Sequence, residues 1–354
     1  MKRKLLIAVP LLCLVGVTAW MFRPRHESQG EAFVSEKVAP LLSGIAQVRQ
    51  QVGVLHYGER VEVLSKRNEY TKVRTTAGAV GWVEAHQLME PALWQRSIKL
   101  LEQVRNMPVQ ARGRTKVSTN LRVLPGRTEP RLYQFARNVP VEIVGRGVAD
   151  WVQTTDEKDS GNEEETKKED WFLVRGIASR PPGESSARVS VTTTTTEPGD
   201  QTVPIAGWVI ARFIELDLPD PVREGASSAN IRPVAWFELN RVSDSSGEKP
   251  QYLLAATRGP EGQPCDFTAL RVYTWNGKRE RYETAFIENS LCGQLPIRTG
   301  KGPKEEPEFH FQVMDGDNDK SIYRLMQTVV RRIREPGESS RKKVTAKRAK
   351  PASR

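Results

Sequence analysis

Three cysteines and four histidines are the only thiols and imidazoles in this chain of 354 residues. A cysteine nucleophile needs a histidine beside it and a third polar group to orient the ring. The C-terminal third offers Cys265, in Pro264-Cys265-Asp266-Phe267, and a single histidine, His310. Cys292 gives the Cys265 sulfur a structural partner instead, and a disulfide is the expected outcome. A zinc centre needs three protein ligands, whereas His26, His56, His86 and His310 stand singly along the chain. Asp315, Asp317 and Asp319 alternate in Asp-Gly-Asp-Asn-Asp, a spacing that lets carboxylates converge on a hard cation such as calcium. An EF-hand would then require Gly where Lys320 stands and a bidentate Glu where Met326 stands. Both fail, so an acidic turn between two strands is expected, with weak calcium binding as the alternative. No Gly-rich phosphate cradle and no Gly-x-Ser-x-Gly turn occurs. The expectation is a protein without catalytic residues or cofactor.

Charge separates sharply along the chain. The formal net charge is +11, but residues 1–25 carry five Lys/Arg and no acid, and residues 331–354 carry ten Lys/Arg and two Glu. The intervening residues 26–330 hold 39 basic and 41 acidic side chains, a net of −2. A cationic groove tracking a phosphate backbone is therefore not expected in the folded body, and no specific nucleic-acid partner is assigned. Residues 5–22 are uncharged and follow Met1-Lys2-Arg3-Lys4. That is the pattern of an export signal or of an N-terminal membrane anchor. Cleavage after Ala19 fits the signal, while the continued apolar run Trp20-Met21-Phe22 favours the anchor. Either way the body is expected outside the cytoplasm, in the cell envelope, as an inner-membrane-anchored periplasmic or secreted protein. Cys13 lies within this segment, which leaves Cys265 and Cys292 as the even pair expected to bridge in an exported chain.

The middle of the chain repeats itself. Val61-Glu62-Val63 corresponds to Val141-Glu142-Ile143, Tyr70 to Arg74 corresponds to Trp171 to Arg175, and Gly81-Trp82-Val83 corresponds to Gly207-Trp208-Val209. Leu88 and Ile214 each lie six residues past the tryptophan, and Leu41 and Leu121 each lie 20 residues before the first paired valine. Alternating apolar and polar residues with closely spaced turn residues predict short strands. The second copy is longer by two inserts, one almost wholly charged (156–170) and one rich in Pro, Gly, Ser and Thr (180–202). Such compositions belong in surface loops. Between the copies, Leu93, Leu100, Leu101, Val104 and Met107 recur near a 3.6-residue period, predicting a bridging helix that starts at Pro91 and stops at Pro108.

These four ordered elements, occurring twice, resemble the bacterial SH3-like domain. Asn120-Leu121-Arg122-Val123-Leu124-Pro125-Gly126 matches its first element in the second copy. The first copy has Pro40-Leu41-Leu42-Ser43-Gly44, without the Arg, and Tyr70 where Trp is usual. The resemblance implies compact barrels of short strands, found in exported bacterial proteins as wall- or partner-targeting modules, often beside an enzyme. It implies recognition of peptidoglycan or of an envelope protein through aromatic side chains. Tyr70, Trp82, Trp171 and Trp208 are the candidates, with Tyr57 and Tyr133 behind them, and Trp82 and Trp208 are expected to serve mainly as plugs of the barrel cores. Beside such modules the natural enzyme is a wall hydrolase, but Cys265 lacks the Asp-Cys-Ser-Gly context of the wall cysteine peptidases. A hydrolase with an unrecognised site and a membrane-anchored scaffold are the alternatives to a non-catalytic binding protein.

The expected fold is mainly β: two small SH3-like β-barrels followed by a β-sandwich or open-barrel domain. The expected boundaries are 1–25 for the signal or anchor, 31–90 for the first SH3-like domain, 91–111 for the helical linker and 112–218 for the second SH3-like domain with its inserts. Residues 219–230 form a linker, 231–334 a domain of about six strands, and 335–354 a disordered basic tail. Within the third domain, Asn276-Gly277 between alternating runs predicts a tight hairpin with two positive φ angles. The tail's charge predicts salt-sensitive attraction to anionic envelope polymers or lipid headgroups. Deleting residues 335–354 from the full-length chain should weaken its binding to anionic vesicles at low salt; unchanged binding rejects that role.

Overall fold

A computed structural model describes residues 29–151, 167–180, 201–314 and 320–333. The N-terminal apolar segment, most of both inserts, the Asp315–Asp319 turn and the basic tail lie outside the described residues. No helix among the described residues is long and apolar enough to cross a membrane. The described residues are mainly β, with three seven-stranded antiparallel sheets and two α-helices among them. It divides into two compact units, one of residues 1–99, 130–134 and 177–205, the other of 100–129, 135–176 and 206–354.

The first sheet comprises β1 (Gly30–Val34), β2 (Val38–Leu42), β3 (Gln51–His56), β4 (Arg60–Arg67), β5 (Tyr70–Thr75), β6 (Val80–Glu84) and β7 (Leu88–Met89), in the order β3-β2-β6-β5-β4-β1-β7. Helix α1 (Pro91–Val104) follows. The second sheet comprises β8 (Ala111–Thr115), β9 (Thr119–Arg122), β10 (Arg131–Phe135), β11 (Pro140–Asp150), β12 (Lys168–Arg180), β13 (Gln201–Ile210) and β14 (Ile214–Leu216). Its order, β10-β9-β13-β12-β11-β8-β14, is the first order with every strand advanced by seven. Both sheets are open in their hydrogen bonding, not closed as barrels would be. The two-residue β7 and three-residue β14 end one side of each, and nothing pairs β3 with β7 or β10 with β14.

Register shows why the repeated residues recur. Leu42 pairs with Trp82 and Arg122 with Trp208. A Cβ placed on Gly81 would lie 2.6 Å from Leu41 Cγ and 2.9 Å from the Leu42 carbonyl oxygen. On Gly207 it would lie 2.6 Å from Leu121 Cγ and 2.7 Å from the Arg122 oxygen. Each glycine therefore lets a buried leucine and the carbonyl of the residue after it close onto the strand before the tryptophan. A bulge recurs too, between Val63 and Ser65 in β4 and between Ile143 and Gly145 in β11. The ion pair Arg74–Glu62 (2.7 Å) has its counterpart in Arg175–Glu142 (2.8 Å).

The third sheet is a meander of β15 (Arg232–Asp244), β16 (Gly247–Thr257), β17 (Phe267–Asn276), β18 (Arg281–Lys301), β19 (Pro307–Val313), β20 (Lys320–Met326) and β21 (Val329–Ile333). Strands not adjacent in hydrogen bonding approach one another, β15 with β18 and β19, so the sheet is curled. Leu253, Phe267, Leu270, Val272, Ile297, Phe309 and Phe311 fill its inner face. Residues 219–230, expected as a linker, instead form helix α2 (Asp220–Ser228), with Pro221 in its first turn. Its spacing buries Val222 and Ala226 against Tyr252, Leu254, Ala256 and Tyr273 on the outer face, which an open sheet must cover. Gly225 packs directly on the Tyr273 ring.

Two further expectations change in detail. The Asn276-Gly277 hairpin forms, but as a four-residue loop closed by the Asn276–Arg281 pair. Asn276 Oδ1 accepts from the amides of Lys278 and Arg279, and the positive φ falls at Glu280. The Asn side chain thus stabilises a longer turn instead of a two-residue one. The end of the charged insert is not loop: Lys168, Glu169 and Asp170 pair with Asp150, Ala149 and Val148.

Replacing Gly81 or Gly207 with Ala should cost about 1–3 kcal/mol each, because the new methyl meets backbone as well as a flexible leucine. Thermal melts of the two single variants measure this; melting temperatures equal to the parent's would refute the close approach.

Candidate functional site

Strand alternation sorts the candidate residues. In β5 and β6, Thr71, Val73, Gly81 and Val83 are buried, and Val73 and Val83 join Leu41, Leu55, Val61 and Val63 in the first core. Tyr70, Lys72, Trp82 and Glu84 point to the opposite side and are half-buried. Trp82 is therefore not the plug of this core. It lies in a row with Leu42 and Lys72, while Tyr70 pairs with Glu84. The Arg49 guanidinium stacks over the Tyr70 ring, 5.1 Å from its centroid, and Nη1 donates to Tyr70 Oη at 2.8 Å. Val80 is 42% exposed and Val52 50%, so aliphatic surface borders these aromatics.

The matching side of the second copy is closed. Trp208 packs with Val104, Val144, Leu173 and Ala206, joined by Leu100, Leu101 and Met107 from and beyond the end of α1. Leu173 stands where the first copy has Lys72, and Ala206, 1% exposed, stands where it has Val80. Apolar residues in the second copy accept the helix; their replacements in the first do not. Trp208 also presses on Gly147, where a Cβ would lie 2.7 Å from its ring. Trp171 is 1% exposed, opposite Gly147 in the strand ladder.

Tyr57 and Tyr133 belong to the interior of the first unit. Their rings meet edge to face at 5.0 Å, and Tyr57 meets Trp94 at 5.9 Å, while Trp94 stacks on Phe33 at 4.9 Å. Burial pushes both phenols above their usual range, helped for Tyr57 by Tyr133 and for Tyr133 by Glu36. Of the six candidates, Tyr57, Tyr133 and Trp171 are thus core residues, Trp208 lies under α1, and Tyr70 and Trp82 share a partly open face.

A second constellation was not legible in advance. Glu169, its side chain 2% exposed, accepts from Arg127 through Nε at 2.8 Å and Nη2 at 2.7 Å, and pairs with Arg212 at 2.6 Å. The Arg127 hydrogen bonds, then Arg212, hold its carboxyl below the usual range against the opposing effect of burial. Arg127 and Lys167 lie over the Trp151 ring, at 5.2 and 4.5 Å from its centroid. Trp151, Lys167, Glu169 and Arg212, with Lys168, Pro260, Glu261 and Gly262, line an open cleft of about 920 Å³. Next to it, Arg146 is sealed at 1% side-chain exposure. It donates to Asp170 at 2.5 Å and to the carbonyls of Gln263 (3.1 Å) and Cys265 (2.9 Å), with Asp266 3.6 Å away. Burial raises the Asp266 carboxyl above its usual range, opposed by the Leu295 amide and Arg146. The signal for all this was the position of Glu169 and Asp170, directly before the apolar run that begins at Trp171.

Cys265 and Cys292 are bonded, with Cα atoms 4.9 Å apart. That bond ties up the sulfur that a thiolate nucleophile would need. A closed loop of this length stabilises a fold by roughly 3–4 kcal/mol in the chain-entropy picture. No group of three or more His, Cys, Asp or Glu among the described residues is placed to hold a metal ion, and Asp315, Asp317 and Asp319 lie outside them.

No protein-family model matches the chain, and no curated protein matches it. Among solved structures it aligns with NlpC2 from Trichomonas vaginalis, at 9% identity over 87% of this chain and 92% of that one, with a TM-score of 0.17. NlpC1 from the same organism aligns at 12% identity over 88% and 89%, again with a TM-score of 0.17.

Glu169→Gln should destabilise the protein by about 2 kcal/mol at pH 7, since charge-assisted hydrogen bonds are lost from a buried acceptor. Because the folded carboxyl titrates below its ordinary 4.5, this contribution is complete above that pH and fades as pH falls towards the folded value. Urea unfolding at pH 7 and pH 3 tests this; a deficit as large at pH 3 as at pH 7 would contradict it.

Proposed function

We propose that this is a non-catalytic, exported envelope protein whose two repeated sheets are SH3-like modules, only the first of which keeps its recognition face open. Tyr70, Trp82, Lys72, Arg49 and Leu42 form that face, and peptidoglycan is the ligand it suits. Aromatic rings give a sugar ring large contact area at little entropic cost. Lys72 and Arg49 match the carboxylates of peptide stems. The observation that carries the reading is the exchange of Leu173 and buried Ala206 in the covered copy for Lys72 and exposed Val80 in the other. A face built only to pack would have no use for that exchange. The N-terminal apolar segment would deliver the body to the envelope, as a cleaved signal or an anchor, and the disulfide accords with an oxidising compartment.

The test is co-sedimentation of the full-length protein with purified peptidoglycan. The parent should sediment, and Tyr70→Ala with Trp82→Ala should weaken binding at least tenfold with thermal stability little changed. Trp208→Ala should lower stability instead, because its ring is packed beneath α1. A parent that stays in the supernatant, or a double variant that sediments like the parent, defeats the proposal. In the first case, with the face intact, an envelope protein becomes the ligand to seek.

A further inference from the structure

We propose that Arg271, on the α2 face of the third sheet, binds an oxyanion, a carboxylate or a phosphate borne by a ligand. Trp236, Leu254, Arg271 and Ile287 form one row across β15, β16, β17 and β18. Leu270 and Val272, either side of Arg271, belong to the inner core, so Arg271 and Tyr273 face α2. Arg271 is 8% exposed, and its Nε is shut off from solvent without a partner. Its guanidinium makes no hydrogen bond or ion pair with any described residue.

This differs from every other deeply buried charge described above. Arg146 has a carboxylate and two carbonyls, and Glu169 has two guanidinium groups. Arginine does not shed its proton on burial, so its charge needs an external counterpart. The same face holds two more sealed donors without acceptors, Trp236 Nε1 and Tyr273 Oη. The last carbonyls of α2 do not fill the gap. The Gly225 carbonyl already accepts from the Ala229 amide, that of Ser227 from Asn230 and that of Ala226 from Ile231.

Donors in excess and a fixed positive charge define the complementary ligand as negative and rich in acceptors. A guanidinium offers parallel N–H bonds to two oxygens of one group, the geometry of a carboxylate or phosphate edge. Access lies on the side of Ile287, which is 50% exposed in the strand next to Arg271. A neutral or cationic ligand would leave the charge uncompensated. The site lies on the third sheet and is independent of the Trp82 face.

Calorimetric titration of the full-length protein with inorganic phosphate, and separately with acetate, at fixed ionic strength tests the assignment. One saturable site is expected, with tighter phosphate binding assigning a phosphoryl ligand and tighter acetate binding a carboxylate. Arg271→Gln should weaken the preferred anion at least tenfold. Arg271→Lys, which keeps the charge but loses the fork, should weaken it less, and Tyr273→Phe should weaken it severalfold. Near-UV circular dichroism checks each fold, and the Lys variant serves for comparison if the Gln variant does not fold. Absence of saturable heat with both anions, or affinities unchanged in the folded Arg271 variants, overturns the proposal.

Discussion

The arrangement of the second unit depends on a guanidinium that water does not reach. Taking an arginine out of water costs several kcal/mol, and the cost is recovered only when geometry and hydrogen bonding are nearly complete. Arg146 meets that condition with Asp170 on the neighbouring strand and with two backbone carbonyls in the loop before β17. Asp170 in turn accepts from the Gly262 amide, and Arg232 reaches the carbonyls of Gly259 and Pro260. Residues 259–265 are thus fixed from the second sheet and from β15, and their last member is the disulfide-bonded Cys265. Gln110 makes a parallel connection, accepting from the Ile297 amide and donating to its carbonyl, while its own carbonyl accepts from the Trp236 amide. Polar bonds of this kind are directional, so they define one seating of the second sheet on the third where apolar surface alone would allow several.

The first two sheets are built to one plan and differ on one side. The shared parts are those that backbone geometry demands: strand order, the glycine beneath the leucine, the bulge, and the Glu–Arg pair across β4–β5 and β11–β12. The divergent parts lie on the side away from the core. There a single strand position carries Lys72 in one copy and Leu173 in the other, and with it the choice between a solvated face and one covered by helix.

Much of this was legible in the sequence because it rests on local pattern. Spacing alone matched Leu41 with Leu121 and Gly81 with Gly207, and the two cysteines beyond the N-terminal apolar segment have only one possible pairing with each other. Other features were hidden for identifiable physical reasons. Tryptophan beside a glycine reads as a core residue, but strand alternation sends Trp82 and Trp208 to the side opposite Val83 and Val209. Residues 219–230 carry Pro, Gly and two Ser, a linker composition, yet Val222 and Ala226 fall one helical turn apart and find an apolar sheet beneath them. Glu169 and Asp170 read as the end of a charged loop because their arginine partners come from residues 127, 146 and 212, far apart in the chain.

The disulfide has a consequence for how unambiguous the third sheet is. Both faces of β16 and β17 are largely apolar, one filled by Phe267, Leu270 and Val272 and the other by Leu254, Tyr252 and Tyr273, with Arg271 the single charge on β17. Usually a strand that slips by one position is penalised because polar side chains are driven inward. Here such a slip would exchange one oily face for another everywhere except at Arg271, so the side chains oppose it at a single position of β17. The bond from Cys265 to Cys292 adds a covalent constraint to that one. It sits beside the Phe267–Gly293 pair, where the phenylalanine ring covers the glycine, and holds β17 and β18 to a single alignment. The crosslink carries positional information that the hydrophobic code of these two strands lacks.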